Sequence, residues 1–178
     1  KGMEIITGAA VNTVSPVGTG SGVTCRITTG EEEKSIQSDR LFIAVGRKPV
    51  TDDIGLEAAG VPTQKGCIPV NDNQQTTVPD IYAIGDVAGP PLLAHVASAE
   101  GIHCIERIAG MDSPPIDYQN FPSCTYCMPQ VASVGLTEEK AREKGYELKI
   151  GRFPFRANGK ALAYGESEGM VKLIFDAK

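Results

Sequence analysis

Thr77-Val78-Pro79-Asp80-Ile81-Tyr82-Ala83-Ile84-Gly85-Asp86-Val87 is the stretch on which the reading of the fold turns. Ile81 to Ile84 is an apolar run too short for a helix, set off by Pro79 and stopped by Gly85, which predicts a short buried strand of an α/β protein. Asp86 follows the carboxyl end of that strand at once, where α/β sheets bind ligands, and Gly85 lets a ligand approach the backbone closely. Core packing does not explain an acid at this position. As an anion Asp86 accepts hydrogen bonds from sugar or sugar-alcohol hydroxyls more strongly than a neutral acceptor does. The spacing alone fits a plainer role equally well, with Asp86 capping the next turn.

Working outward, Pro90-Pro91 precede a predicted helix over Leu93 to Ala109. Val96, Ala99, Ile102, Cys104, Ile105 and Ile108 fall largely on one stripe, and Gly110 can end it. Upstream, residues 49–77 are rich in turn formers and read as a crossover between domains. Before them Leu41 to Val45 is wholly apolar and runs into Gly46-Arg47-Lys48-Pro49, which predicts a strand buried on both faces and then a forced turn. Met3 to Thr7, Ala10 to Val17 and Gly22 to Thr28 read as strands. In the last of these Val23, Cys25 and Ile27 face one side, and the turn Gly18-Thr19-Gly20-Ser21-Gly22 leads into it. Glu31 to Glu33 solvate a second hairpin tip.

Downstream, residues 113–122 carry three prolines and no periodicity, and mark a boundary. Gln130 to Gly135 reads as a strand. A short helix follows, with Thr137 as its cap, Glu138 and Glu139 at its positive end, Lys140, Arg142 and Lys144 toward its negative end, and Gly145 as its left-handed stop. Tyr146 to Phe153 and Met170 to Phe175 complete an antiparallel-looking region.

Composition bounds the function. The 178 residues are 41% hydrophobic, 22% charged and 6% aromatic, with 20 Gly and 12 Pro, as in a globular protein with an aliphatic core. Seventeen basic against 22 acidic residues give a net charge of −5, and no basic cluster is present, which argues against a nucleic-acid partner. No apolar run approaches the ~20 residues of a membrane span. With five scattered cysteines and no apolar signal segment after Lys1-Gly2-Met3-Glu4, a soluble, reducing, cytoplasmic setting is expected.

The central motif also carries a family resemblance. Residues 77–87, followed by Leu92-Leu93-Ala94-His95 and then Glu100-Gly101, resemble the flavin-binding signature of the pyridine nucleotide-disulfide oxidoreductases, in particular the branch that oxidises dihydrolipoamide. The glutathione and mercuric reductase branches lack the Leu-Ala-His run followed by Glu-Gly. The resemblance implies that Asp86, after Gly85, bonds the ribityl chain of FAD, and that Leu92, Leu93, Ala94 and His95 lie against the isoalloxazine ring. Ala44 to Pro49 resembles the strand and turn where the NAD domain returns to the FAD domain, with Gly46 near the nicotinamide nucleotide. Thr7 to Val11 resembles an earlier NAD-domain strand in which Val11 touches that nucleotide. Residues 122–138, 153–155 and 157–161 resemble the start of the interface domain.

The implied fold is α/β: partial doubly wound FAD- and NAD-binding domains plus the start of an α+β interface (dimerisation) domain. Residues 1–47 would be the end of the NAD domain, 48–118 the returning part of the FAD domain, and 119–178 the first part of the interface domain. The family's glycine-rich pyrophosphate loop, its Cys-x-x-x-x-Cys dithiol, its second nucleotide loop and its closing His and Glu pair do not occur in this sequence. It therefore reads as an internal piece of a flavoenzyme. The 178 residues alone are expected neither to turn over nor to hold FAD firmly. The implied partners are a second copy of the chain and lipoyl-bearing proteins of 2-oxoacid dehydrogenase or glycine cleavage complexes.

No catalytic residue and no metal ligand is assigned. Cys124-Thr125-Tyr126-Cys127 has Cys-x-x-Cys spacing, but zinc needs four ligands and no second pair exists. The pair leads into Met128-Pro129 rather than a helix, and it stands where the family has Tyr-Thr-x-Pro-Glu, so the cysteines read as tolerated substitutions. Cys67 and Cys104 read as core or semi-buried residues. His95 reads as positional, and His103 as a surface or interface side chain. The competing readings are a non-enzymatic dimerisation or binding module, a small metal-binding protein using Cys124 and Cys127, and a family member with a different disulfide substrate.

Overall fold

The computed structural model describes residues 2–18 and 20–178, so Lys1 and Thr19, the latter within the first expected turn, lie outside the described residues. The architecture mixes helices with strands, and the chain divides into two units, Lys1–Arg47 and Lys48–Lys178.

The first unit is an antiparallel meander of β1 (Ala9–Pro16), β2 (Val23–Thr29) and β3 (Glu32–Ser38), in the order β1-β2-β3. The alternation read in β2 sets its faces. Cys25 and Ile27 are buried while Arg26 between them is exposed, and Cys25 lies opposite Val14 on one side and Ile36 on the other. The register slips between Val11 and Thr13, which puts a bulge in β1. Two expected strands do not form. Met3 to Thr7 and Leu41 to Val45 are irregular, and Phe42 and Val45 are 89% and 94% exposed instead of buried on both faces. A strand exists only with a ladder partner, and no described strand pairs with either run.

In the second unit Val61, Ile68 and Ala83 form a small core on which Leu56, Val70, Val78, Ile81 and Val87 pack. The turn-rich stretch is knitted around it by backbone bonds, among them Ile68 N–H to Val87 O at 2.8 Å and Ala83 N–H to Gln74 O at 3.0 Å. Residues 81–84 gain only the single bridge of Tyr82 with Gln75 rather than a full strand, although Ala83 is buried as expected.

Helix α1 (Ala94–Ile108) matches the expected span, but its buried face is rotated from the expected stripe. Val96, Glu100, His103 and Cys104 face inward, while Ile102, Ile105 and Ile108 are 52–64% exposed. The inward set follows the i, i+4, i+7, i+8 spacing of one helix face. His103 is accordingly buried, not at the surface. Its Nε2 lies 3.1 Å from the Asp72 carbonyl, which can only accept, and its Nδ1 is 3.0 Å from Ser113 Oγ.

Beyond the boundary, β4 (Ser123–Thr125) pairs with β5 (Val131–Ser133), and β6 (Leu148–Pro154) pairs with β7 (Met170–Asp176), both antiparallel. Between them lies α2 (Glu138–Glu143). Thr137 caps it by accepting the Lys140 N–H at 3.2 Å, and Gly145 takes the left-handed stop at φ 82°. A further helix, α3 (Gly159–Tyr164), is capped by Asn158, which accepts the Ala161 N–H at 3.0 Å.

Candidate cofactor-binding site

Residues 77–87 end in a tight turn. Ile84 is extended, and the chain then bends into a 3-10 turn at Gly85–Val87, closed by Ala88 N–H to Gly85 O at 2.8 Å. Gly85 is required twice over. Its φ is 73°, where a side chain is strained, and a Cβ added there would stand 3.1 Å from Ala97 Cβ on α1. Gly101 lets the helix come close from its side, since a Cβ there would meet Ile84 Cδ1 at 3.1 Å.

A chain of hydrogen bonds, buried at Glu100 and Gln74 and half-exposed at Tyr118, fixes this turn. The Gly85 N–H donates to Glu100 Oε2 at 2.6 Å, and Glu100 is only 4% exposed. Its other oxygen, Oε1, accepts from the Tyr118 hydroxyl at 2.9 Å, and that hydroxyl accepts from Gln74 Nε2 at 3.1 Å. Desolvation raises the Tyr118 phenol above its ordinary value, and the neighbouring Glu100 carboxylate raises it further, against the opposing bond from Gln74. Gln74 is buried, and its Oε1 has no bonding partner among the described residues.

Asp86 projects from this anchored turn and is exposed. Its side chain caps nothing: Ile84 holds the position before the 3-10 turn, and no described group bonds the Asp86 carboxylate. Leu92 and Leu93 lead into α1, with the Leu93 carbonyl accepting the Val96 and Ala97 N–H groups, each at 3.0 Å. Ala94 and His95 open the helix, and both are exposed. His95 Nε2 donates to the Pro122 carbonyl at 3.0 Å, and its ring sits 5.9 Å from that of Phe121.

The turn that bears Asp86 thus packs through Gly85 on the same helix that Leu92 and Leu93 lead into and Ala94 and His95 begin. Val11 and Gly46 belong to the first unit. Val11 lies beside the bulge of β1 and is 64% exposed, and Gly46, at φ 117°, lies in irregular chain after β3. Two cavities of about 720 and 830 Å³ take in none of these positions. The first is edged by Ile84, Ile102 and Ile105, and the second by Val134, Leu136, Leu148 and Ile174.

Glu100, Tyr118 and Gln74 carry no role in the sequence reading. One signal was available: Glu100 stands four residues from Val96, on the inward face of α1, where a charged residue demands a partner. Cys124 and Cys127 are exposed free thiols, and Cys127 Sγ donates to the Pro129 carbonyl at 3.0 Å. Among the described residues no cluster of His, Cys, Asp and Glu could hold a metal ion, and no helix is long and apolar enough to cross a membrane.

Comparison with known proteins shows the family. The family model for pyridine nucleotide-disulphide oxidoreductases matches residues 1–101, and the model for the dimerisation domain of such proteins matches residues 121–178. Dihydrolipoyl dehydrogenase of Rhizobium etli is 51% identical over 180 residues, covering 100% of this chain and 37% of that protein. The protein of the same name from Bacillus subtilis is 43% identical over 99% of this chain and 38% of its own length. The chain therefore spans less than two fifths of the curated relatives it matches. Among solved structures, the Cu(II) complex of the HOCl-induced flavoprotein disulfide reductase RclA from Escherichia coli superposes with a TM-score of 0.80 at 27% identity. It covers 94% of this chain and 37% of that one. LpdA of Mycobacterium tuberculosis gives 0.79 at 25% identity, over 93% of this chain and 35% of that one.

Proposed function

Because the chain belongs to the pyridine nucleotide-disulphide oxidoreductase family, we propose that it forms part of a flavoenzyme that oxidises dihydrolipoamide at the expense of NAD. The observation that carries this reading is the 51% identity to a dihydrolipoyl dehydrogenase along the whole chain. When bound, FAD supplies the two-electron relay between the dithiol and NAD.

The residues present fit that group. Asp86 offers an exposed carboxylate with no protein partner among the described residues, on a turn held by Glu100, which is the acceptor a polyol chain needs. Gly85 brings the backbone close without a side chain in the way. Leu92, Leu93, Ala94 and His95 supply the apolar edge against the ring and exclude water from it. His95 Nε2 already donates to the Pro122 carbonyl, so in this reading His95 orients rather than acts as the base. Gly46 and Val11 take the nicotinamide nucleotide. Residues 1–47 belong to the NAD domain, 48–118 to the FAD domain and 119–178 to the interface domain, through which the protein pairs with a second copy. The lipoyl-bearing partners are those of 2-oxoacid dehydrogenase or glycine cleavage complexes.

The test is the full-length protein carrying this sequence. It is expected to purify yellow with about one FAD per chain and to form NADH from NAD and dihydrolipoamide. Flavin-free protein, or no NADH with dihydrolipoamide in excess, refutes the reading. A second reading, a different disulfide substrate, is supported by the structural likeness to the RclA reductase. The kcat/KM for dihydrolipoamide against other dithiols separates the two.

A further inference from the structure

Glu100 is a carboxylate at a core position of α1, 4% exposed and one helical turn from the fully buried Val96. Burying an ionised group is costly, and the cost is offset only by groups that bond it. Here those groups are specific. Oε2 takes the Gly85 N–H at 2.6 Å, and Oε1 takes the Tyr118 hydroxyl at 2.9 Å. With one oxygen held from each side the carboxylate cannot rotate, and the Gly85 peptide plane is fixed with it. That amide belongs to the Ile84–Gly85 peptide, and the Ala88 N–H to Gly85 O bond at 2.8 Å holds the following one, so both peptides flanking Gly85 are fixed where Asp86 leaves the turn.

Tyr118 is held in its turn. Gln74 Nε2 donates to its hydroxyl, and its ring lies 6.1 Å from Phe121, which also packs on His95. Residues 118–122 thus touch both parts of the candidate site: the turn bearing Asp86 through Glu100, and the start of α1 through His95 and the Pro122 carbonyl.

We propose that Glu100, braced by Tyr118, is the positioning residue that aims the Asp86 carboxylate at the ribityl hydroxyls of FAD. This rests on the reading that Asp86 receives those hydroxyls. Glu100 itself touches no cofactor and acts through the Gly85 amide. Packing alone is served equally well by leucine, whereas the clamp requires an acceptor oxygen.

The experiment titrates FAD into the flavin-free, full-length protein and follows flavin fluorescence, with melting of the flavin-free form as the measure of folding. E100L fills the space but offers no acceptor, and it is expected to weaken FAD binding about tenfold. E100Q keeps one oxygen for the Gly85 N–H and is expected to stay within about threefold of the parent. Y118F, a smaller change at a half-exposed ring, is expected to weaken binding about threefold and covers the case in which E100L does not fold. D86N is expected to lose about tenfold, and E100L/D86N little more than either single variant, because both remove the same contact. Parent-like binding by E100L or Y118F, with D86N weakened, overturns the clamp and leaves the Asp86 reading standing. Independent losses multiplying to about a hundredfold in the double variant also overturn the clamp. Parent-like binding by D86N overturns the Asp86 reading itself.

Discussion

Replacing Gly85 and Gly101 by alanine in turn separates two effects that a static contact distance confounds. At both positions an added Cβ would stand 3.1 Å from its nearest neighbour, yet the expected outcomes differ. At Gly85 the backbone is left-handed, φ 73°, which costs a side chain about 1–2 kcal/mol. The neighbour is Ala97 Cβ, fixed to the helix backbone and unable to turn away, so relief requires α1 to shift, at a further ~1–2 kcal/mol. G85A should therefore destabilise by about 2–4 kcal/mol. At Gly101 the residue is helical, and alanine gains about 1 kcal/mol of helix propensity. The neighbour is Ile84 Cδ1, the far end of a side chain that is 39% exposed and free to rotate toward solvent, at roughly 0.5–1 kcal/mol. G101A should fall within about 0.5 kcal/mol of the parent. Urea unfolding of the full-length protein, followed by far-ultraviolet circular dichroism, measures both. Equal losses in the two variants would refute the argument, since they would mean that the helix–turn approach, not the backbone conformation of Gly85, sets the cost.

Other outcomes follow from single contacts. T137A removes the acceptor of the Lys140 N–H and should cost about 1 kcal/mol in the same unfolding assay. H103F keeps a planar, slightly larger ring but abandons the bonds to the Asp72 carbonyl and Ser113, and should cost about 2 kcal/mol. Lys172, then Arg142, hydrogen-bond the Glu138 carboxylate and lower it from 4.5 to about 2, with Arg152 also in reach at 3.3 Å. Because the folded value is depressed, the stability it contributes is full above about 4.5 and drains away as pH falls toward 2. A melting series across that window should show the loss in the parent and a flatter profile in E138Q. C124S/C127S should leave NADH formation by the full-length protein unchanged, because both thiols are exposed and the serine hydroxyl can still donate to the Pro129 carbonyl.

What the sequence announced about the fold was local. The alternation of Val23, Cys25 and Ile27, the cap at Thr137 and the stop at Gly145 depend on neighbours within a few residues, and each forms as read. Leu41 to Val45 and Met3 to Thr7 are different in kind. Their apolar runs state only that the chain is suited to a strand, while pairing requires an edge supplied from elsewhere. Helix α3 carried a weak signal, a single Asn158 cap ahead of Gly159, and a helix propensity reduced by glycine at its first position hid it.

The candidate site divides along the same line. Gly85 and Asp86 were conspicuous because a glycine and an acid close an apolar run, and no packing argument accounts for the acid. Glu100 was quoted only as part of a motif, because a glutamate on a helix is ordinarily a solvated residue. Its meaning depends on azimuth. The expected stripe of Val96, Ala99, Ile102, Cys104, Ile105 and Ile108 holds at Val96 and Cys104, whereas Ile102, Ile105 and Ile108 are exposed and Glu100 and His103 share the inward face. Two ionisable side chains on the inner face of one helix are improbable as core and intelligible only as bonded groups. Each indeed meets a partner from distant chain: Glu100 meets Tyr118, and His103 meets the Asp72 carbonyl. The hydrophobic stripe therefore located only part of the inward face, at Val96 and Cys104. The rest was marked by the spacing of Glu100 and His103 from Val96, which puts both on that face, where the Glu100 carboxylate reaches the Gly85 amide.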